Sequence, residues 1–165
     1  MNYHEFFRKV EAYLDKIENQ ASLRETLGLI IEGILQDFSE DLGFIGARLY
    51  VRDLHNYLLE EQFGAGAHAP IGLSLPESYP PIKSTVRKGF VYMDLKSEGV
   101  DPALMERIGI RRFAAIAVGP GNKYVIAFGL SGDRIDGKYL VKAITETGMV
   151  VTVNDDDIVV DFDIQ

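Results

Sequence analysis

Phe113-Ala114-Ala115-Ile116-Ala117-Val118 and Tyr124-Val125-Ile126-Ala127-Phe128-Gly129-Leu130 are two strongly apolar stretches joined by Gly119-Pro120-Gly121-Asn122-Lys123. Runs this short, bounded by turn residues, predict strands. Their near-continuous hydrophobicity predicts central strands covered on both faces. The link between them is explained by turn chemistry alone.

Working outward toward the amino terminus, Phe90–Leu95 reads as a strand. Asp101 is placed to cap a short helix, with Pro102 at its first position and Ala103–Ile108 as its body. Another short helix is expected over Ile82–Lys88, with Pro81 in its first turn and Gly89 past its end. Ala47-Arg48-Leu49-Tyr50-Val51-Arg52 alternates, Asp53-Leu54-His55-Asn56 is a turn, and Tyr57–Phe63 returns, which makes an antiparallel hairpin. Between that hairpin and Pro81, Gly64, Gly66, Gly72, Pro70, Pro76 and Pro80 mark a long irregular stretch. Loops of that length inside a compact domain are often functional.

Further out, Leu27, Ile30, Ile31, Ile34, Leu35, Phe38 and Leu42 form a helical stripe that Gly43 can end. Ser22 and Glu25 have the spacing of a capping box. Phe6, Val10, Tyr13, Leu14 and Ile17 form an earlier stripe, which faces either this core or a second subunit. Tyr139–Thr147 reads as helix, and Val150–Val153 with Ile158–Ile164 as a terminal hairpin, a longer final helix being the alternative.

Composition narrows the classes. The chain has 165 residues, 47% of them hydrophobic, and Lys+Arg 17 against Asp+Glu 25 gives a net charge of −8. That balance argues against nucleic acid as a partner, because phosphate neutralisation needs a basic face. From Asp133 onward eight acids stand against three bases, so the acidity is concentrated in the tail. Zero cysteine excludes thiol nucleophiles, thiolate metal sites, disulfides and sulfur-attached cofactors, and fits a reducing cytoplasm. No apolar run is long enough to span a membrane, and Met1–Glu5 does not read as a signal peptide.

With the hairpin Ala47–Phe63, the block Gly89-Phe90-Val91-Tyr92-Met93-Asp94, and the pair Phe113–Val118 and Tyr124–Leu130 in place, the sequence resembles the GAF sensory-domain family from Ser22 to Thr147. The resemblance implies an α+β sandwich: a central antiparallel sheet with the terminal helices on one face and loops and short helices on the other. It implies dimerisation through the terminal helices and a small-molecule pocket under the loops. Residues 1–21 would be a helical extension, 22–148 the GAF-like domain and 149–165 an acidic β element or tail.

A sheet face roofed by an irregular loop is also a natural place for a concave site on physical grounds. Phe63, His68, Tyr79, Ile82, Tyr92, Met93, Asp94 and Phe113 are the candidate pocket residues, some of which must point away because strand residues alternate. His68 could bond a ligand or an axial haem position, but it has no companion at metal-binding spacing and reads as a loop histidine. Gly64-Ala65-Gly66 runs into a proline-broken segment and not a helix, which argues against phosphate cradling. Arg48, Arg52, Arg111 and Arg112 could meet an anion, with a surface salt bridge or solvated head the expected state of each. Asn122-Lys123 with Phe128 does not match the cyclic-nucleotide motif of the family, and the cysteines of its bilin-attaching and sulfoxide-reducing members are missing.

The acids Asp155–Asp157 lack the glycine and glutamate of a calcium loop. The adjacent acids Glu60 and Glu61 are expected to point in different directions, so no acid/base pair is evident and no enzyme activity or metal is assigned. The expected function is a sensory or regulatory domain that binds an unidentified small molecule, with no cofactor identified. It would signal through a homodimer of the amino-terminal helices and an effector domain or protein. The alternative is a dimerisation or scaffolding module with a collapsed pocket.

Overall fold

The computed structural model describes residues 8, 23–64, 66, 69–70, 72–130, 149–154 and 157–162. Apart from residue 8, the expected helix at 6–17 lies outside these, as do the one at 139–147 and Ser22, His68, Asp155 and Asp156. The first described helix, α1 (Leu23–Leu42), leads into β1 (Phe44–Asp53) and β2 (Asn56–Phe63). Then come β3 (Ser74–Pro76), α2 (Pro80–Lys88), β4 (Phe90–Asp94), α3 (Pro102–Ile108), β5 (Arg112–Val118) and β6 (Tyr124–Leu130). These six strands form one antiparallel sheet in the order β3-β2-β1-β6-β5-β4. A separate hairpin pairs β7 (Met149–Asn154) with β8 (Asp157–Phe162).

Alternation gives the sheet two apolar faces. On the first, Leu27, Ile30, Ile31 and Ile34 of α1 cover Ala47 and Leu49 of β1, Ala114, Ile116 and Val118 of β5, and Ile126, Phe128 and Leu130 of β6. Spacings of three and four residues place those helix positions on one stripe. Phe44 stacks on Phe128 at 4.7 Å between ring centres. The second face carries Tyr50, Tyr57, Val91, Phe113, Ala115, Val125 and Ala127 under α2 and α3. Every residue of β6 is buried, as its apolar run predicts for a strand with cover on both sides.

Punctuation residues set the two short helices. Asp101 accepts a hydrogen bond from the Ala103 N–H at 3.0 Å, and Pro102 opens α3. Pro80 and Pro81 open α2, which ends where Gly89 turns left-handed at φ 82° and donates to the Thr85 carbonyl. The segment expected to be irregular contains β3, which pairs with the outer edge of β2. Three residues ending in proline carry little strand signal, and an edge position is where a sheet tolerates proline.

Two irregularities shape the hairpin. Pairing shifts between Leu49↔Glu61 and Tyr50↔Leu59, which leaves Glu60 as an extra residue in β2. Both Glu60 and Glu61 therefore reach Arg24 of α1. This corrects the expectation that the two acids diverge: simple alternation does not survive a bulge. A second shift lies between Phe44 and Gly46. There the Gly66 N–H donates to the Ile45 carbonyl at 2.9 Å, and the chain passes over Gly46 so closely that a Cβ would stand 2.2 Å from the Gly66 oxygen. Close backbone approach, and not phosphate binding, accounts for the Gly64–Gly66 motif.

Gly46→Ala is expected to destabilise the fold by about 3 kcal/mol, because backbone must move to admit the methyl group. Gly89→Ala should cost only about 1 kcal/mol, the strain of a left-handed backbone with open space around it. Urea denaturation of the two variants measures the difference, and equal losses would mean that the Gly46–Gly66 crossing is looser than described.

Candidate functional site

The second face of the sheet is closed by two short helices with a loop between them, and they do not cover it completely. A cavity of about 50 Å³ remains between the sheet and the helices. Its floor is Tyr50 and Arg48 of β1, Phe113 and Ala115 of β5, and Val125 and Ala127 of β6. Its roof is Pro81, Ile82 and Thr85 of α2 and Leu104, Met105 and Ile108 of α3, with Leu75, Tyr79 and Ile110 at the sides.

The roof is strapped by identifiable bonds. The Tyr79 hydroxyl accepts from the Asp101 N–H at 3.0 Å, which ties the entry of α2 to the cap of α3. Thr85, 1% exposed, donates from its hydroxyl to the Pro81 carbonyl at 2.7 Å. Outside the cavity, the Gln62 amide nitrogen donates to the Ala69 carbonyl while its oxygen accepts the Ala69 N–H, which pins the glycine-rich loop to β2. Tyr57, 1% exposed, donates to the Asn122 carbonyl at 2.7 Å and so fixes the β5–β6 turn.

The polar floor residue is Arg48, only 3% exposed, whose Nε donates to the Tyr50 hydroxyl at 3.1 Å. Its expected exposure is thereby corrected. Arg48 shares the parity of Tyr50, opposite to that of Ala47 and Leu49, and so turns into the second core instead of toward water. Arg52, two residues on, does behave as a surface group: it is 41% exposed, pairs with Glu77 and donates to the Gly121 carbonyl at 3.0 Å. His55 also bonds Glu77, at 2.9 Å.

Of the residues nominated from sequence, the cavity brings together Tyr79, Ile82 and Phe113. Met93 packs in the same core without lining the cavity. Phe63 and Tyr92 belong to the α1 side, because their strand parity matches that of Leu49 and Ala114. Asp94 is occupied by the turn after β4, where its carboxylate accepts from the Lys96 N–H at 2.8 Å and from the Ser97 hydroxyl. His68 is outside the described residues. Sequence reasoning missed Arg48, Tyr50, Thr85, Met105 and Ile108 as wall residues. Applying alternation across Arg48 and Tyr50 would have found the first two. Among the described residues no cluster of histidines and acids could hold a metal ion, and no helix is long and apolar enough to cross a membrane.

No protein-family model matches the sequence, and no curated relative does. Solved structures do match. The phycocyanobilin-bound GAF domain of a cyanobacterial phytochrome is similar with a TM-score of 0.59 and 13% identity, over 88% of both chains. The GAF domain of a phosphoenolpyruvate-protein phosphotransferase from Coxiella burnetii gives 0.59 and 14%, again over 88% of each. The A. aeolicus nlh2 GAF domain, in an inactive state, gives 0.59 and 11% over 86% of this chain and 88% of that one. The chain has the α+β GAF fold.

Burial raises the phenol pKa of both Tyr57 and Tyr79. For Tyr57, Glu77 adds to the rise and Arg52 opposes it. For Tyr79, the bond from Asp101 opposes the rise, while the charges of Asp101 and Tyr50 add to it. Unfolded phenols release their proton near pH ~10. Above that the unfolded chain holds fewer protons than the folded one, so this contribution to stability is complete below pH ~10 and is lost as pH rises toward the folded values. The urea midpoint should therefore fall as pH rises above about 10. A Tyr57→Phe/Tyr79→Phe variant, less stable at neutral pH, should fall less steeply. An equally steep fall would assign the alkaline loss to other groups.

Proposed function

We propose that this chain is a sensory or regulatory domain that binds a small molecule between the sheet and helices α2 and α3. Occupancy would shift the arrangement of the roof and pass through the terminal helices to a dimer partner or an attached effector. The observation that carries this reading is the cavity itself, an apolar chamber with a buried guanidinium in its floor and a roof of short, separately capped helices. Gly89, Gly99 and Gly109 all have positive φ at the joints around these helices, where the roof can rearrange. The sensor proteins among the structural neighbours include a two-component sensor histidine kinase and a methyl-accepting chemotaxis protein, which is consistent with this role.

Size limits the ligand. Pockets for drug-sized molecules occupy roughly 300–1,000 Å³, whereas this chamber holds about 50 Å³. A tetrapyrrole would have to displace both helices. The small volume also favours the second reading, a dimerisation module whose pocket is filled by its own side chains.

A thermal-shift screen of small organic molecules separates the two readings. A ligand at a hundredfold its dissociation constant should raise the melting temperature by about 5–10 °C. Ala127→Val, which fills the floor, should abolish that rise while leaving the fold intact. A flat screen together with a tight dimer would favour the scaffold. Light scattering of a chain beginning at Ser22 tests the dimer: loss of the dimer is expected, and an unchanged one would remove the amino-terminal helix from the interface.

A further inference from the structure

We propose that the cavity is selective for an uncharged, apolar molecule of roughly two or three heavy atoms, such as a light alkene, enclosed between the sheet and both roof helices. This rests on the reading of the cavity as a ligand site and specifies the chemistry of its occupant.

Polar commitment is the first argument. Arg48, Tyr50, Tyr79 and Thr85 are the polar side chains among the described wall residues, and each is engaged within the protein. The Arg48 Nε donates to the Tyr50 hydroxyl at 3.1 Å, and Arg48 holds a further interaction besides. The Thr85 hydroxyl donates to the Pro81 carbonyl, and the Tyr79 hydroxyl accepts from the Asp101 N–H. An anion or a hydrogen-bonding molecule gives up its water on entry and has to break into one of these bonds to replace it. A hydrocarbon makes no such demand.

Lining is the second. The rest of the wall includes Ile82, Met105, Ile108 and Phe113, all buried and apolar. A water molecule needs roughly two to four polar partners to settle in such a space, and apolar chambers otherwise stay dry. Atoms around a dry void lack contacts on one side, and an apolar occupant restores them through dispersion. Ile82 belongs to α2, Met105 and Ile108 to α3, and Phe113 to the sheet, so one occupant can touch both helices and the strand below them. Occupancy therefore favours a roof closed onto the sheet.

Size is the third. An apolar chamber of about 150 Å³ takes benzene, with its six carbons. On that scale a chamber of about 50 Å³ takes roughly two or three heavy atoms. So few atoms hold the dissociation constant at about 0.5 mM or weaker.

The test uses the native chain and three molecules matched in heavy-atom count: propene, formamide and formate. Each is titrated separately at neutral pH and constant ionic strength while the backbone amide signals of Ala115, Val125 and Ala127 are followed by NMR. Saturable shifts with propene are expected at millimolar concentration, with formamide and formate about tenfold or more weaker for want of polar partners. Binding of formamide or formate as tight as that of propene would overturn the assignment while leaving the cavity as a ligand site. No saturable shift with any of the three would overturn both. Ala127→Val, which fills the floor, should weaken propene about tenfold or more. A folded variant that binds propene as the native chain does would place the hydrocarbon elsewhere and overturn the assignment. Should that variant fail to fold, the three-way comparison on the native chain still decides.

Discussion

The structure depends on β1 being buried on both sides. It lies between β2 and β6 in the middle of the sheet, so the residues from Ala47 to Tyr50 must each satisfy one of two cores. Ala47 and Leu49 take the stripe of α1, while Arg48 and Tyr50 take the other side. Because the side-chain period of a strand is two, a slip of one residue would drive Arg48 under the long helix and Leu49 into the chamber. The flanking bulges fix the register and give Arg24 two carboxylates from consecutive residues. The register of one strand thus governs how the helix docks and what lines the chamber.

The two covers differ in kind. α1 is a continuous 20-residue helix whose stripe buries aliphatic side chains against three strands. The opposite cover is assembled from helices of 9 and 7 residues with their own caps, held together in part by the bond from the Asp101 N–H to the Tyr79 hydroxyl. Helices this short draw little stability from their own backbone and rely on packing. The cavity lies beneath them.

Much of the fold was legible in the sequence because its signals are local. Tyr124–Leu130 reads as a strand from its run of apolar residues, and Asp101-Pro102 announces a capped helix. The Ala47–Phe63 hairpin shows in its alternation. β3 was not legible, since three residues ending in Pro76 acquire strand character only by pairing with the edge of β2. The site was less legible than the fold. Tyr79, Ile82 and Phe113 were recognisable because they flank the irregular segment or sit on a core strand. Phe63 and Tyr92 differ from Phe113 in the face their strand parity gives them, and for Phe63 that parity follows a bulge that no residue pattern reveals. Arg48 looks like any strand arginine until its neighbours on both sides are known. Its burial is a property of the assembled sheet.

Crystals of the protein equilibrated under xenon pressure test the central claim most directly, because xenon enters apolar chambers without needing polar recognition. The account predicts a single strong xenon peak bounded by Ile82, Met105, Ile108 and Phe113, on the side of the sheet away from α1. No peak there, or side chains packed through that space, would mean that the sheet is sealed on both sides and that the chain holds nothing in its interior.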